Sequence, residues 1–338
     1  MSKKKIIITG GSGFIGTNLI NYLIGKKYKI INIDKLSYCS TKEKYKSLDK
    51  NNYKFFRADI ADQKKIEQIL TVNRFSTIVN LASESHVDRS IDNTYKFIKS
   101  NILSTTSFYN NIRDLIKKGK IKSPNIIHIS TDEVFGSLKK GSASEKSSFM
   151  PNSPYSASKA STEHILRSFS KTFGMRICIL RLCNNYGPYQ FTEKFIPTCI
   201  TKVMDNISIP LYGDGKNIRE WMYVKDTCSA IELLINHFAN GEDYNLGSGL
   251  KITNLKLIKL LEKGFKKKIK FDLVQDRPGH DKRYSLNSKK FFKKFKWKPK
   301  YNIDEGINET IEWYAANKEW LKETLKNYRG NRQGLKNV

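Results

Sequence analysis

The sequence is poor in the features that mark a secreted, membrane-spanning or metal-binding protein. Its five cysteines, Cys39, Cys178, Cys183, Cys199 and Cys228, are odd in number, scattered, and form no CxxC pair. That excludes a paired disulfide framework and the usual zinc or thiol-redox spacings, and points to a reducing compartment. No apolar run is long enough to cross a bilayer. The stretch after Lys3-Lys4-Lys5 is broken by Gly10 and Gly11 before it reaches the length of a signal-peptide core, so a cytoplasmic location and no membrane partner are expected. Internal repeats and long low-complexity linkers are also missing. Acidic residues are scarce, 32 against 61 Lys and Arg, for a net charge of +29. The excess is mostly Lys spread through nearly every segment, with short runs at Lys266 to Lys268 and Lys293 to Lys296, which fits a solvated surface better than a specific nucleic-acid site.

What is present suffices for a large core: 338 residues, 39% hydrophobic, enough for one large α/β domain and a smaller one. Short Ile- and Val-rich runs alternate with segments of helical periodicity, the mark of βαβ units and a parallel sheet. Strands are expected at Lys5 to Thr9, Lys29 to Asp34, Tyr53 to Ala58, Thr77 to Leu81, Asn125 to Ser130 and Arg176 to Leu182. Helices are expected to start near Phe14, Asp62, Asn93 and Tyr155, the one after Asn93 being the longest. Past Asn185 the pattern breaks into pieces punctuated by Tyr186-Gly187-Pro188 and Tyr212-Gly213-Asp214-Gly215, where turns are expected. Tyr244 to Leu246 reads as a strand, and Asn254 to Lys263 and Asp304 to Asn317 as helices.

The first expected strand runs into Thr9-Gly10-Gly11-Ser12-Gly13-Phe14-Ile15-Gly16. A glycine-rich turn opening a helix lets backbone N–H groups and the positive helix end approach a pyrophosphate. Asp34, ending the second strand, stands where such a fold sets a carboxylate against ribose hydroxyls, which favours NAD over a 2′-phosphorylated cofactor. The fold class is therefore α/β, a Rossmann-type doubly wound parallel sheet with a smaller mixed α/β substrate-binding domain. We expect residues 1–184 in the NAD-binding domain, with 220–246 returning to it. Residues 185–219 and 247–325 would form the smaller, substrate-binding domain, and 326–338 a loosely held basic tail. Asp59 is open to two readings, an adenine contact or a cap of the next helix.

Tyr155 and Lys159 sit four apart on one helix face, where the ammonium can lower the phenol pKa and make it a base. Thr131-Asp132-Glu133 follows a strand directly and brings two carboxyl groups over the sheet's C-terminal crevice. An acid and a base beside a hydride acceptor are what the loss of water next to a transient ketone requires.

The ordered motifs resemble those of the extended short-chain dehydrogenases, and more closely the dTDP-glucose 4,6-dehydratases. They are Asp34-Lys35-Leu36-Ser37-Tyr38, Leu81-Ala82-Ser83-Glu84-Ser85-His86-Val87-Asp88-Arg89-Ser90, Ser130 to Gly136, Tyr155-Ser156-Ala157-Ser158-Lys159, Asn184 to Tyr189, Glu193-Lys194-Phe195-Ile196-Pro197 and Asp276-Arg277-Pro278-Gly279-His280-Asp281. The resemblance implies a tightly held NAD regenerated in each turnover, dTDP-glucose as substrate and dTDP-4-dehydro-6-deoxy-glucose as product. Tyr155, Lys159 and Thr131 would serve C4 oxidation, Glu133 would take the C5 proton, and Asp132 would protonate the leaving C6 hydroxyl. It further implies cofactor contacts from Gly10, Gly13, Phe14, Ile15, Gly16, Asp34, Lys35, Leu36, Ser37, Asp59, Ile60, Leu81, Ala82, Ser83, Ser100 and Asn185, together with Tyr155 and Lys159. Substrate contacts would come from Ser85, Thr131, Asn184, Lys194, Phe195, Pro210, Leu211, Tyr212, Arg219, Asn254, Asp276, Arg277, Pro278, Gly279 and His280. Lys194, Arg219 and Arg277 suit a diphosphate. A homodimer is implied, and no metal.

Three positions depart from the family pattern: Phe135 where Tyr is usual, Ser83 where Ala is common, and Ser100 where Thr is expected. None removes a catalytic group. His86 is open to two readings, a base or a structural histidine fixed beside Asp88, and is assigned no chemistry. A UDP-glucose 4,6-dehydratase would keep all this chemistry, whereas a UDP-sugar 4-epimerase needs the Tyr, Lys and NAD but not the paired acids. A non-catalytic NAD-sensing or RNA-binding scaffold would exploit the charge and leave the catalytic positions degenerate.

Overall fold

A computed structural model describes residues 4–41, 51–328 and 334. Lys3 of the first basic run and most of the expected tail lie outside the described residues. The chain enters through β1 (Lys5–Thr9), α1 (Phe14–Gly25), β2 (Lys29–Asp34), β3 (Tyr53–Arg57), α2 (Gln63–Val72) and β4 (Thr77–Asn80). A short α3 (Val87–Asp92) leads into a continuous helical rod: α4 (Thr94–Phe97), a π-helical stretch at Ile98–Ser104, and α5 (Thr105–Lys117). Then come β5 (Asn125–Thr131), a 3₁₀ turn at Asp132–Phe135, α6 (Pro154–Phe173) and β6 (Ile177–Leu182).

These strands read as near-continuous Ile and Val because both faces of the sheet are covered. The interior of β1 and all of β4 and β6 are buried. Asp62 caps α2 by accepting the N–H of Lys65, which leaves Asp59 outside the cap. Helix α6 starts where its sequence requires. Ser153 forms a reciprocal capping box with Ser156, Pro154 takes the first helical position, and Gly174 ends the helix in the left-handed region at φ 64°.

The second half contains β7 (Asn184–Tyr186), α7 (Phe195–Met204), β8 (Ile209–Tyr212), β9 (Ile218–Tyr223), α8 (Val224–Asn236) and β10 (Asp243–Leu246). It continues with β11 (Lys251–Thr253), α9 (Asn254–Phe265), β12 (Phe271–Val274), α10 (Lys289–Phe295), α11 (Ile303–Ala316) and α12 (Lys318–Asn327). The turns expected past Asn185 are therefore interleaved with substantial helices. In α8 the buried Val224, Cys228, Ile231, Leu234 and Ile235 follow helical spacing, a pattern that the surrounding Gly and Pro signals obscured.

The main sheet is seven-stranded and parallel, in the order β10-β6-β5-β4-β1-β2-β3. Strand order reverses between β4 and β1, so a crevice opens above their C-terminal ends. β9 leaves this sheet to pair with β7 and β11, and β12 pairs with β8. One apolar cluster runs from Ile8 and Leu180 in the main sheet to Leu211, Leu257 and Ile307 in the second region, so the two halves share a core. At the far edge Arg181, fully buried, joins Glu163 of α6 at 2.6 Å and Asp243 of β10 at 2.7 Å, tying α6 to two strands of the sheet.

Candidate active site

The crevice is a cavity of about 470 Å³. One wall is largely backbone. Gly10 and Gly13 come from the turn after β1, and Phe14, Ile15 and Gly16 from the start of α1. Gly10 has φ 68°, and a Cβ there would stand 2.7 Å from the backbone N of Ala82. A Cβ on Gly16 would stand 2.5 Å from the carbonyl O of Gly10. Side chains would fill this cradle, and Gly13 leaves the N-terminus of α1 without a side-chain cap. A pyrophosphate fits there. Asp34 is buried and accepts the N–H groups of Ser12 at 2.9 Å and Leu36 at 2.7 Å. Burial raises its pKa, against the pull of those two donors. Lys35 and Ser37, Asp59 and Ile60, Leu81, Ala82 and Ser83, Ser100, and Asn185 complete this wall. Leu36 does not line it: with φ 60° it supplies its backbone N–H to Asp34 instead.

At the centre stand Thr131, Asp132 and Glu133 from the end of β5, and Tyr155 and Lys159 from α6. Thr131 caps the 3₁₀ turn by accepting the N–H of Glu133, and its hydroxyl lies 3.3 Å from Asp132 Oδ1. Asp132 is 3% exposed, and its Oδ2 has no protein partner. Burial, then the charges of Glu133 and Glu220, holds its pKa well above the carboxylate range. Burial also raises Glu133, but Arg277, Arg219 and Lys194 face it and pull the other way. Both neighbouring acids are therefore raised, Asp132 well above the carboxylate range and Glu133 against the pull of three cations, of which Asp132 meets only Arg219.

One expectation changes. Burial and the charge of Glu133 push the Tyr155 phenol up, and the opposing group is the hydroxyl of Thr131 rather than Lys159. The Lys159 ammonium donates to the carbonyl O of Ile129 at 2.8 Å. Burial lowers Lys159 itself to about 8.

The opposite wall is built of side chains: Ser85, Asn184, Lys194, Phe195, Pro210, Tyr212, Arg219, Asn254, Arg277 and His280. In β8 the alternation sends Pro210 and Tyr212 toward the cleft, while Leu211, fully buried, joins the core. Leu211, Asp276, Pro278 and Gly279 therefore do not line the cavity. Asp276 acts behind it, 2.5 Å from His280 Nδ1. Burial, with Arg277 and Arg219 nearby, lowers His280 to about 4. Arg277 pairs with Asp88 at 2.5 Å and keeps its Nε without a protein partner. Arg219 lies 4.3 Å over the ring of Tyr284.

The wall includes residues that sequence reasoning did not select. Tyr284 donates its hydroxyl to Glu133 Oε2 at 3.3 Å and to Asp281 Oδ2 at 2.5 Å. Asp88 anchors both Arg277 and Tyr212. Glu193 is 9% exposed. Tyr328, within the expected tail, lines the cavity and packs at a tilt against Phe191, ring centroids 6.4 Å apart, so at this residue the tail is held. Only Asp88 and Glu193 carried a signal, by lying inside quoted motifs. His86 meets the N–H of Arg89 and the carbonyl O of Glu193, while the Asp88 carboxylate turns to Arg277.

Fold and site together define a nucleotide-sugar enzyme of the short-chain dehydrogenase/reductase class. The model of the family described as GDP-mannose 4,6 dehydratase matches residues 7–310, and the chain belongs to that family. Among its relatives is the dTDP-glucose 4,6-dehydratase of Xanthomonas campestris pv. campestris (strain B100), 35% identical with 97% of this chain and 98% of the relative covered. The Haemophilus influenzae protein of the same name is 39% identical, with 92% and 98% covered. The crystal structure of DesIV, the dTDP-glucose 4,6-dehydratase of Streptomyces venezuelae, with NAD and dTDP bound, is similar at a TM-score of 0.88. It is 36% identical, with 94% of this chain and 98% of that chain covered.

Proposed function

We infer that the protein is an NAD-dependent dTDP-glucose 4,6-dehydratase, releasing water and dTDP-4-dehydro-6-deoxy-glucose. The observation that carries the reading is the pair of adjacent buried acids, Asp132 and Glu133, set beside Tyr155 and a dinucleotide cradle. A 4-epimerase has no use for such a pair.

The turn at Gly10 to Gly16 and Asp34 would hold NAD, which when bound would supply a reversible hydride acceptor. Tyr155 takes the C4 hydroxyl proton, with Thr131 as its hydroxyl partner and Lys159 fixed against β5. The C4 ketone acidifies C5–H. Glu133 removes that proton, its carboxylate form favoured by Arg277, Arg219 and Lys194 across the cleft against the upward push of burial. Asp132, neutral through burial, protonates the departing C6 hydroxyl, which leaves as water. Hydride return to C6 and reprotonation at C5 complete the product. Arg219, Arg277 and Lys194 bind the diphosphate, with charge and fork geometry suited to phosphate oxygens. Asp132→Asn should lower kcat by about 10²-fold through slower water loss, and chromatography should show the 4-keto-glucose nucleotide accumulating.

A homodimer through the α4–α5 rod and α6 belongs to the same reading. Exposed Tyr95, Leu103 and Phe173 on these helices support it, and a monomer by light scattering at working concentration would reject it. Five free cysteines, four of them buried, support a cytoplasmic location, and among the described residues no helix is long and apolar enough to cross a membrane. The positive charge is read as solvated surface, so no RNA binding is expected at physiological salt. The direct test of the assignment is to incubate the protein with dTDP-glucose and UDP-glucose separately and follow water loss by mass spectrometry. Preference for dTDP-glucose is expected. Preference for UDP-glucose would change the substrate, and no water loss from either would overturn the reading.

A further inference from the structure

Glu193 occupies an unusual position, because it is nine-tenths buried at the point where the two walls of the cleft meet. Its Oε1 accepts the Tyr38 hydroxyl at 2.6 Å, and its Oε2 accepts Arg89 Nε at 2.8 Å. The Arg89 guanidinium in turn lies 4.0 Å over the Tyr38 ring. The carbonyl O of Glu193 faces His86 Nε2 at 3.4 Å. Its chain neighbour Lys194 donates to the carbonyl O of Ser85 at 2.6 Å. Burial raises the Glu193 carboxyl, and His86, Lys194, Tyr38 and Arg89 outweigh it, so the group stays ionised.

The identities of these partners matter. Tyr38 lies on the loop that leaves β2 just after Asp34 and Ser37, on the cofactor wall. Lys194, Phe195 and Ser85 belong to the substrate wall. Among the described residues, Glu193 is where the cofactor loop, α3 and the loop before α7 are bonded to one carboxylate. Phe191 adds an apolar contact with Tyr38 at a ring separation of 5.4 Å.

We propose that Glu193, clamped between Tyr38 and Arg89, is a positioning residue that couples the cofactor loop to the diphosphate-binding Lys194. Ordering of the loop at Asp34 to Ser37 by NAD fixes Tyr38, Tyr38 fixes Glu193, and Glu193 sets the backbone from which Lys194 reaches the nucleotide. By linkage, nucleotide binding tightens the hold on NAD by the same factor. This explains how a cofactor that must never leave during turnover is held most firmly while the sugar nucleotide is in place. The proposal rests on the reading above for the nature of the second ligand, but not for NAD.

The test uses holoenzyme of wild type, Tyr38→Phe, Glu193→Gln and the double variant, each checked for an unchanged melting temperature. NAD loss after dilution is timed with and without dTDP. We expect each single variant to lose NAD about fivefold faster than wild type, dTDP to slow that loss about fivefold or more in wild type only, and the double variant to be no worse than Glu193→Gln alone. Tyr38→Phe removes one hydroxyl and keeps the ring, so a folding defect in Glu193→Gln leaves the question decidable. NAD retention equal to wild type in both single variants would overturn the proposal. So would additive effects, or protection by dTDP that survives in the variants. If dTDP binds the wild type by calorimetry but does not slow its NAD loss, the coupling is overturned; if dTDP does not bind at all, the substrate assignment falls, and the retention rates without nucleotide still decide for or against the clamp.

Discussion

The two walls of the cleft hold their ligands by different means. On the β1 to β4 side the work is done by backbone: Gly10 and Gly16 lack the Cβ atoms that would close the cradle, and Asp34 is positioned by two main-chain N–H groups. On the β8 and β9 side it is done by charged side chains, Lys194, Arg219 and Arg277, whose geometry depends on partners such as Asp88 and Tyr284. A wall made of backbone tolerates few substitutions but needs no supporting shell. A wall made of side chains is adjustable and depends on that shell. Asp132, Glu133 and Tyr155 lie on the seam, where burial raises both acids and the cations of the second wall oppose that rise at Glu133.

The largest effect should come at the seam. Tyr155→Phe is expected to lower kcat by about 10²- to 10⁴-fold, measured by product formation, with NAD and dTDP binding retained. On the backbone wall, Gly10→Ala forces a left-handed conformation and a clash with Ala82. It should cost about 1–3 kcal/mol of stability in thermal melts and strip NAD from the purified protein. On the side-chain wall, Arg277→Leu should raise KM for the sugar nucleotide about tenfold or more, the loss of a charge-assisted phosphate contact, while leaving copurified NAD in place. If Gly10→Ala weakened only the substrate, or Arg277→Leu only NAD, the division between the walls would be wrong. The smallest effect concerns pH. The buried His86 ring is held neutral, its pKa lowered from 6.5 to about 4. The unfolded chain therefore binds the extra proton first, and this contribution to stability is lost as pH falls from about 6.5 toward 4. His86→Gln should flatten the drop in melting temperature between pH 7 and pH 5.

The same contrast governs what could be read beforehand. The glycine turn, Asp34 and the acids after β5 announce themselves because each is tied to the end of a strand, and strands are legible as apolar runs. Pro210 and Tyr212 followed from motif resemblance, but Leu211 did not belong with them, since β8 alternates and sends it into the core. Asp88, Glu193 and Tyr284 are single polar residues that only tertiary structure brings to the cleft, so no spacing could reveal their roles. The capture of Lys159 by the carbonyl of Ile129 was equally hidden. A helical periodicity places Lys159 beside Tyr155 but says nothing of a strand passing underneath.

The central claim is that one site oxidises C4, expels water across C5 and C6, and returns the same hydride to C6. Incubating the enzyme with dTDP-glucose carrying deuterium at C4, in ordinary water, tests it most directly. The account predicts a product with that deuterium on C6 within the same molecule and a solvent proton at C5. Deuterium lost to solvent, or still at C4, would contradict it.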